Sequence, residues 1–396
     1  MKYVLVIPDG SADLPCPELG GRTPLEAAHI PNMDRIAREG ATGLVQTIPE
    51  GMRPGSEVAI LGILGYDPIT CFPGRGPPEA LAMGIELSPT DAVYRCNLVT
   101  TDGERLVDFT AGHITSEEAA ELMTSLNGQP GLEDLRFYPG VAYRHIMVWA
   151  GGPTGAETRA PHDHVGDLLD GVLPRGEGSG RLREAFWRAH ELLSSHGVNR
   201  RRRNEGHNPG NGIWPWGQGR VKSAPSFRER FGVGGSVIGA VDLVKGIAEY
   251  GGLAHPNVPG ATGFADTDLK AKLAHALDAL AVEDFVAVHV EAPDEETHAG
   301  RLEGKIGTIE RIDAEIVGPL LEALPSLGPH RVLVLPDHFT LLSTRTHAAD
   351  PVPFAIWPAP ESIGSRPAPG FSEAAARTTG LALSSADQLV PLLVGK

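Results

Sequence analysis

Three short apolar runs mark the chain, and each ends in charge. "KYVLVIPDG" closes on Asp9 and Gly10, "DFVAVHVEAPD" on Glu291 and Asp294, and "RVLVLPDH" on Asp337 and His338. None alternates strictly between apolar and polar positions. Unbroken β-branched runs of this length predict strands covered on both faces, as in parallel sheets. Between them, "NMDRIAREG", "TDLKAKLAHALDAL" and "TIERIDAEIVGPLLEAL" space their apolar residues as helices do. Strands alternating with helices predict an α/β fold with a mostly parallel sheet flanked by helices. In such sheets functional side chains gather beyond the carboxyl ends of the strands. The three acidic ends are therefore expected to face one crevice.

The middle of the chain reads differently. From about residue 95 to 230 the strand–acid format stops, and "REAFWRAHELLSSHG" and "NRRRRNEGHNPGNGIWPWGQGR" take its place. Trp149, Trp187, Trp214 and Trp216 all fall here. We expect a discontinuous core domain, 1–94 with 231–396, interrupted by a smaller inserted α/β domain, 95–230. Residues 151–180, rich in Gly, Pro and Asp, are expected to include a mobile surface loop.

Length agrees with about two domains at roughly 150 residues each. The 41% hydrophobic and 21% charged residues are ordinary for a globular chain. A net charge of -16 argues against a general nucleic-acid or anionic-membrane binder. Cys16, Cys71 and Cys96 form no CxxC pair, so neither a zinc ribbon nor a dithiol site is indicated. Sparse cysteine fits a reducing compartment. "MKYVLVIPDG" is too short in apolar residues for a signal peptide or a membrane span, so a cytoplasmic protein is expected. Neither GxGxxG after a strand nor GxxxxGK[ST] occurs, which weakens any nucleotide-fold reading.

Singly, the polar strand ends are ambiguous. Asp9 suits a turn as well as a metal. Asp294 and His298 share one face if a helix begins near Pro293, but Asp294 also suits a helix N-terminus on dipole grounds. Glu295 and Glu296 read as exposed acids, and Glu291 stays undecided. His347 reads alone as a surface histidine. Asp337 and His338 are adjacent, and adjacent strand side chains point opposite ways, so they need an irregular strand end to converge. Together, three Asp and three His offer oxygen and nitrogen ligands suited to manganese, magnesium or zinc. That is more than one ion needs, and paired ions about 3.5–4 Å apart recur in phosphoryl transfer. Ser56, in "RPGSEVAILGIL", fits a helix N-cap or a nucleophile where phosphate is favoured.

The motifs "PDG", "GSEVAILGILGYDP", "GRGPPEALAMGI", "YRCNLVT", "AGHI", "YRH", "PHD", "IWPWGQG", "EAPDEETHAG", "PDH" and "RTHAADPVPF" run in order along nearly the whole chain. Together they resemble the archaeal-type cofactor-independent phosphoglycerate mutases of the alkaline phosphatase superfamily. The resemblance implies an alkaline-phosphatase-like core with an inserted cap. It implies two divalent ions, often Mn2+, with Mg2+ or Zn2+ as alternatives, and no 2,3-bisphosphoglycerate. Asp294, His298 and His347 match the ligands of one ion. Asp9, Ser56, Asp337 and His338 match those of the other, and Ser56 matches the serine that is transiently phosphorylated.

The implied substrate is a small phosphorylated anion, 3-phosphoglycerate, interconverted with 2-phosphoglycerate in glycolysis and gluconeogenesis. The match points to His113, Arg144, His145, His162, Asp163 and Arg220 as cap residues holding its anionic ends, with Lys245 as a further basic candidate. The run Arg200 to Arg203 reads as a solvated face, and Trp214 and Trp216 as packing. A homoserine kinase-like phosphotransferase and a metal-dependent phosphatase are the alternatives on this fold.

Overall fold

Strand Lys2–Pro8 lies between Phe285–Val290 and His330–Val334 and runs parallel to both. Ile7 stands opposite His289, and Leu5 opposite both Ala287 and Leu333. All three strands therefore end at one edge of the sheet. This computed structural model describes residues 1–395. The chain forms two units, Met1–Phe72 with the segment from Ala224 onward, and Pro73–Ser223.

The first unit is built on a seven-stranded sheet. Its order is Gly235–Ile238, Phe285–Val290, Lys2–Pro8, His330–Val334, Val352–Trp357, Ala41–Val45, Ala382–Leu383. Val352–Trp357 runs antiparallel to both its neighbours, and the other pairings are parallel. Period-two alternation splits the central strands between two cores. Tyr3, Leu5, Ile7, Phe285, Ala287, Leu333 and Leu335 face one, while Val4, Val6, Val286, Val288, Val332 and Val334 face the other. Helices cover both faces, which is why the runs are apolar throughout. The helical patterns become Pro31–Glu39, Leu269–Val282, and Leu302–Ile312 joined to Gly318–Leu327 by a π-helical segment, Asp313–Val317.

The second unit has a five-stranded antiparallel sheet centred on Ala92–Thr101, which pairs with Arg144–Trp149 on one side and Gly212–Gly219 on the other. Helix Ser179–Ser194 packs Leu182, Ala185, Ala189 and Leu193 into its core. The expected boundary between 94 and 95 would cut Ala92–Thr101, a strand that belongs wholly to this sheet, and the unit begins instead at Pro73. Within residues 151–180, expected to include a mobile surface loop, lie short elements: strands Ala156–Glu157 and Arg175–Gly176, a 3-10 turn Pro161–Asp163 and a helical turn Leu169–Val172. Trp214 Nε1 donates to the Arg159 carbonyl at 2.8 Å, tying the segment to the sheet. Trp214 and Trp216 are buried, as packing residues are. Among the described residues no helix is long and apolar enough to cross a membrane.

Candidate metal centre

Sequence parity carries the polar strand ends toward one place. Asp9 continues the alternation of Tyr3, Leu5 and Ile7, and Asp337 that of Leu333 and Leu335. Asp9, Asp337 and His338 come together beyond the strand ends, all buried, with one ligand atom from each within 4.8 Å of the others. The adjacent pair converges because His330–Val334 has ended and the chain bends at Asp337 and His338. Asp337 Oδ2 lies 3.2 Å and Asp9 Oδ1 3.8 Å from His338 Nε2. Gly10 N and His338 N both donate to Asp337 Oδ1, at 3.1 and 2.9 Å, which aims Oδ2 inward.

The second cluster is Asp294, His298 and His347. Helix Ala292–His298 has Glu291 as its N-cap residue and Pro293 in its first turn, so Asp294 and His298 lie one turn apart on one face. His298 Nε2 is 3.1 Å from Asp294 Oδ2, and His347 Nε2 is 3.4 Å from Asp294 Oδ1. His347 arrives on strand Thr346–Ala348, paired antiparallel with Phe339–Leu341. The lone "surface histidine" of the sequence is thus placed by a hairpin that springs from the Asp337–His338 bend.

Ser56 is not the N-cap of its helix. It is the first helical residue of Ser56–Ile63, the cap position belongs to Gly55, and no side chain caps this helix. Its hydroxyl is instead 3.1 Å from His338 Nε2 and 3.5 Å from Asp9 Oδ2. Gly10 allows the close approach of these elements. Its φ is +62°, and a Cβ there would meet Asp294 Oδ1 and Thr340 Oγ1 at 2.6 Å.

The electrostatics ask for cations. Burial, with Asp337, Asp294 and Glu291 nearby, pushes the Asp9 carboxyl well above its usual range. Burial likewise pushes Glu291 up to about 8. Asp294 goes the other way: burial opposes ionisation, but hydrogen bonds from His298 and His347 outweigh it and hold the carboxyl well below its usual range. Its bond to His298 raises that imidazole to about 9. Asp9 Oδ1 and Asp337 Oδ2 are buried without a hydrogen-bond partner. Such groups are costly unless paired or bound to a metal. Hard carboxylate oxygens mixed with imidazole fit Mn2+, Mg2+ or Zn2+.

Sequence reasoning missed the residues behind these. His289 Nε2 is 2.9 Å from Asp9 Oδ2, and both side chains are 1% exposed. Lys272 Nζ donates to the His289 carbonyl at 2.9 Å. A histidine inside an apolar run was the available signal. Glu296, expected to be exposed, is buried in a forked pair with Arg301, at 2.7 Å to each oxygen. Glu295 is half-buried rather than exposed. Lys245 pairs with Asp242 on its own helix at 3.8 Å.

The remaining candidates lie in the second unit. Arg144 is exposed and His145 buried; as neighbours on one strand they point to opposite faces, so they do not face one ligand. Gly140 N donates to His145 Nδ1 at 3.0 Å, and His145 Nε2 is buried without a partner. Arg220 donates to the Gly152 carbonyl at 2.6 Å. His162 and Asp163 are exposed on the 3-10 turn, where the His162 ring stands 5.8 Å from that of Trp216.

His113 is exposed and closes a run of three left-handed residues, Ala111, Gly112 and His113, with φ of 51°, 67° and 49°. Arg202 explains that run. It is buried, pairs with Glu118, and donates to the Ala111 and Gly112 carbonyls at 2.9 and 3.1 Å. The basic run Arg200 to Arg203 is therefore not uniformly solvated.

A family model described as 2,3-bisphosphoglycerate-independent phosphoglycerate mutase matches residues 37–199. A Geobacter sulfurreducens protein named probable 2,3-bisphosphoglycerate-independent phosphoglycerate mutase is 44% identical, with both chains covered completely. The phosphoglycerate mutase of that name from Methanothrix thermoacetophila is 47% identical, again across 100% of each chain. A cofactor-independent phosphoglycerate mutase structure from Thermoplasma acidophilum aligns with a TM-score of 0.71 at 27% identity, covering 100% of this chain and 99% of that one. With relatives this similar over their full length, the chain belongs to the 2,3-bisphosphoglycerate-independent phosphoglycerate mutase family.

Proposed function

We infer that the chain interconverts 3-phosphoglycerate and 2-phosphoglycerate through a phosphoserine at Ser56, with two divalent cations held by its two Asp/His clusters. The observation that carries this reading is the Ser56 hydroxyl, 3.1 Å from His338 Nε2, at the edge of a buried acidic cluster with two carboxylate oxygens that have no hydrogen-bond partner. Asp9, Asp337, His338 and Ser56 would hold one cation, and Asp294, His298 and His347 the other. Bound there, divalent cations would lower the pKa of the serine hydroxyl and neutralise charge on the transferring phosphoryl oxygens. Mn2+ is our first choice, with Mg2+ and Zn2+ compatible with the same ligands.

Ser56 begins a helix, so the backbone N–H groups of its first turn face the phosphoryl group as it arrives. Its oxygen forms a bond to phosphorus as the bond from phosphorus to the substrate's 3-oxygen breaks, and that oxygen takes up a proton. The glycerate turns in place. Its 2-hydroxyl then attacks phosphorus, loses its proton, and Ser56 leaves and regains one. No bisphosphoglycerate is consumed, and the net change is the position of one phosphoryl group. The mechanism needs water excluded while Ser56 is phosphorylated. Substrate contacts beyond the metal centre we assign to His113, Arg144, His162, Asp163 and Arg220, which suit the anion by charge and hydrogen bonding. A cytoplasmic location follows from the glycolytic role.

The test is a coupled assay of the purified chain with 3-phosphoglycerate and Mn2+ and without bisphosphoglycerate. Formation of 2-phosphoglycerate is expected. Release of inorganic phosphate alone, or phosphohomoserine formation from homoserine and a phosphoryl donor with no mutase product, would contradict it.

A further inference from the structure

One side chain touches both clusters. Thr340 Oγ1 is 2.6 Å from Asp294 Oδ1 and 3.2 Å from His338 Nδ1. It is fully buried, as is His338. Its backbone is fixed on both sides: its N–H donates to the Ala12 carbonyl at 3.1 Å, and Lys305 Nζ donates to its carbonyl at 2.8 Å. Lys305 is itself buried and paired with Asp13 at 2.9 Å. Across the hairpin Thr340 stands opposite His347.

A hydroxyl has one proton to donate, and an ionised carboxylate can only accept. The 2.6 Å contact therefore takes the Thr340 proton to Asp294. What remains at Oγ1 is acceptor capacity, so the nitrogen facing it, His338 Nδ1, must carry its own proton. In the neutral ring that leaves the lone pair on Nε2, the atom turned toward Ser56, Asp9 and Asp337. The same hydroxyl thus orients a carboxylate of one cluster and sets the tautomer of an imidazole of the other.

We propose that Thr340 is a positioning residue that fixes His338 with its proton on Nδ1 and couples the two cation sites through one shared hydrogen-bond chain, Asp294–Thr340–His338. The inference rests on the reading that both clusters hold cations. Its first arm does not depend on cation binding. Outer partners that fix ligand tautomers contribute substantially to metal affinity, which gives the second arm its scale.

The experiment uses the full chain as wild type, Thr340→Val and Thr340→Ser. Val keeps the shape and removes the hydroxyl, whereas Ser keeps the hydroxyl. In the metal-free proteins, long-range nitrogen–proton NMR with labelled histidine reads the His338 tautomer. Calorimetric titration with Mn2+ reads affinity and stoichiometry. We expect His338 to be protonated at Nδ1 in wild type and Thr340→Ser, and to lose that preference in Thr340→Val. We expect Mn2+ affinity in Thr340→Val to fall about 10–100-fold at the His338 cluster, with a weaker fall at the Asp294 cluster, and Thr340→Ser to stay within about threefold of wild type.

An Nε2-protonated His338 in wild type would overturn the proposal. So would a folded Thr340→Val with unchanged tautomer and isotherm, or a Thr340→Ser as impaired as Thr340→Val. A wild type that binds no Mn2+ would instead refute the cation reading, and the tautomer measurement would still decide the role of Thr340.

Discussion

The Nε2 atoms of His298 and His347 face each other at 2.9 Å, with Asp294 within reach of both. Two imidazole lone pairs do not approach so closely without a proton or a cation between them. Replacing that proton with a metal requires its release. Mn2+ binding near neutral pH is therefore expected to release protons and to weaken as pH falls. Calorimetry in buffers of different ionisation enthalpy measures this. A binding heat independent of buffer would count against imidazole ligation.

Chelation should abolish turnover. A chelated, desalted sample is expected to regain activity with Mn2+, and elemental analysis of the reloaded protein should find two ions per chain. Asp337→Asn should lose one of them, because it removes the anionic oxygen that faces His338. Full activity in metal-free protein would remove the cations from the mechanism.

Ser56→Ala should keep both ions and lose at least about 10³-fold in kcat, the scale seen when a nucleophile is deleted. Metal content and kcat measured on one preparation separate chemistry from binding. A wild-type rate would exclude Ser56.

Burial lowers His145 to about 3 in the folded chain, against an ordinary value near 6.5. The unfolded chain therefore takes up this proton first as pH falls. The buried neutral ring costs nothing above about pH 6.5, and stability declines as pH drops from there toward about 3. His145→Gln removes the titrating group. Its denaturation midpoint should depend less on pH between 6.5 and 4 than that of wild type, and an unchanged slope would contradict the assignment.

Arg202→Met should destabilise the second unit by roughly 3–5 kcal/mol, as breaking a buried ion pair does. The Ala111, Gly112 and Asn208 carbonyls lose their Arg202 donor, and Glu118 is left with the exposed Arg201 at 3.5 Å. Denaturant unfolding followed by tryptophan fluorescence measures it. A loss below about 1 kcal/mol would mean that the pair behaves as a surface bridge.

The strand ends were legible because chemistry and periodicity coincide there. An apolar run that stops on Asp or His announces both the strand and its carboxyl end. Asp9, Asp294, Asp337 and His338 were singled out this way, His298 by its spacing from Asp294, and Ser56 by its place at a helix start. His289 was hidden because it sits inside a run whose other residues are core, and Thr340 because threonine in a strand is ordinary. Their roles come from contacts some 280 and 46 residues apart in sequence, which no local pattern encodes. Arg202 was misjudged for the converse reason. In a run of four arginines only the helix phase selects the buried one, and Val198, Asn199 and Arg202 share that phase. The boundary near 94 was missed because Ala92–Thr101 looks like one more core strand until its partners are known.

The central claim is that Ser56 carries the phosphoryl group between the two positions. Acid-quenching the Mn2+-loaded chain during turnover of 3-phosphoglycerate, then sequencing its peptides by mass spectrometry, tests this most directly. The account predicts phosphate on Ser56, absent from the peptide before substrate is added. Turnover at full rate with Ser56 unmodified at every quench time would contradict it.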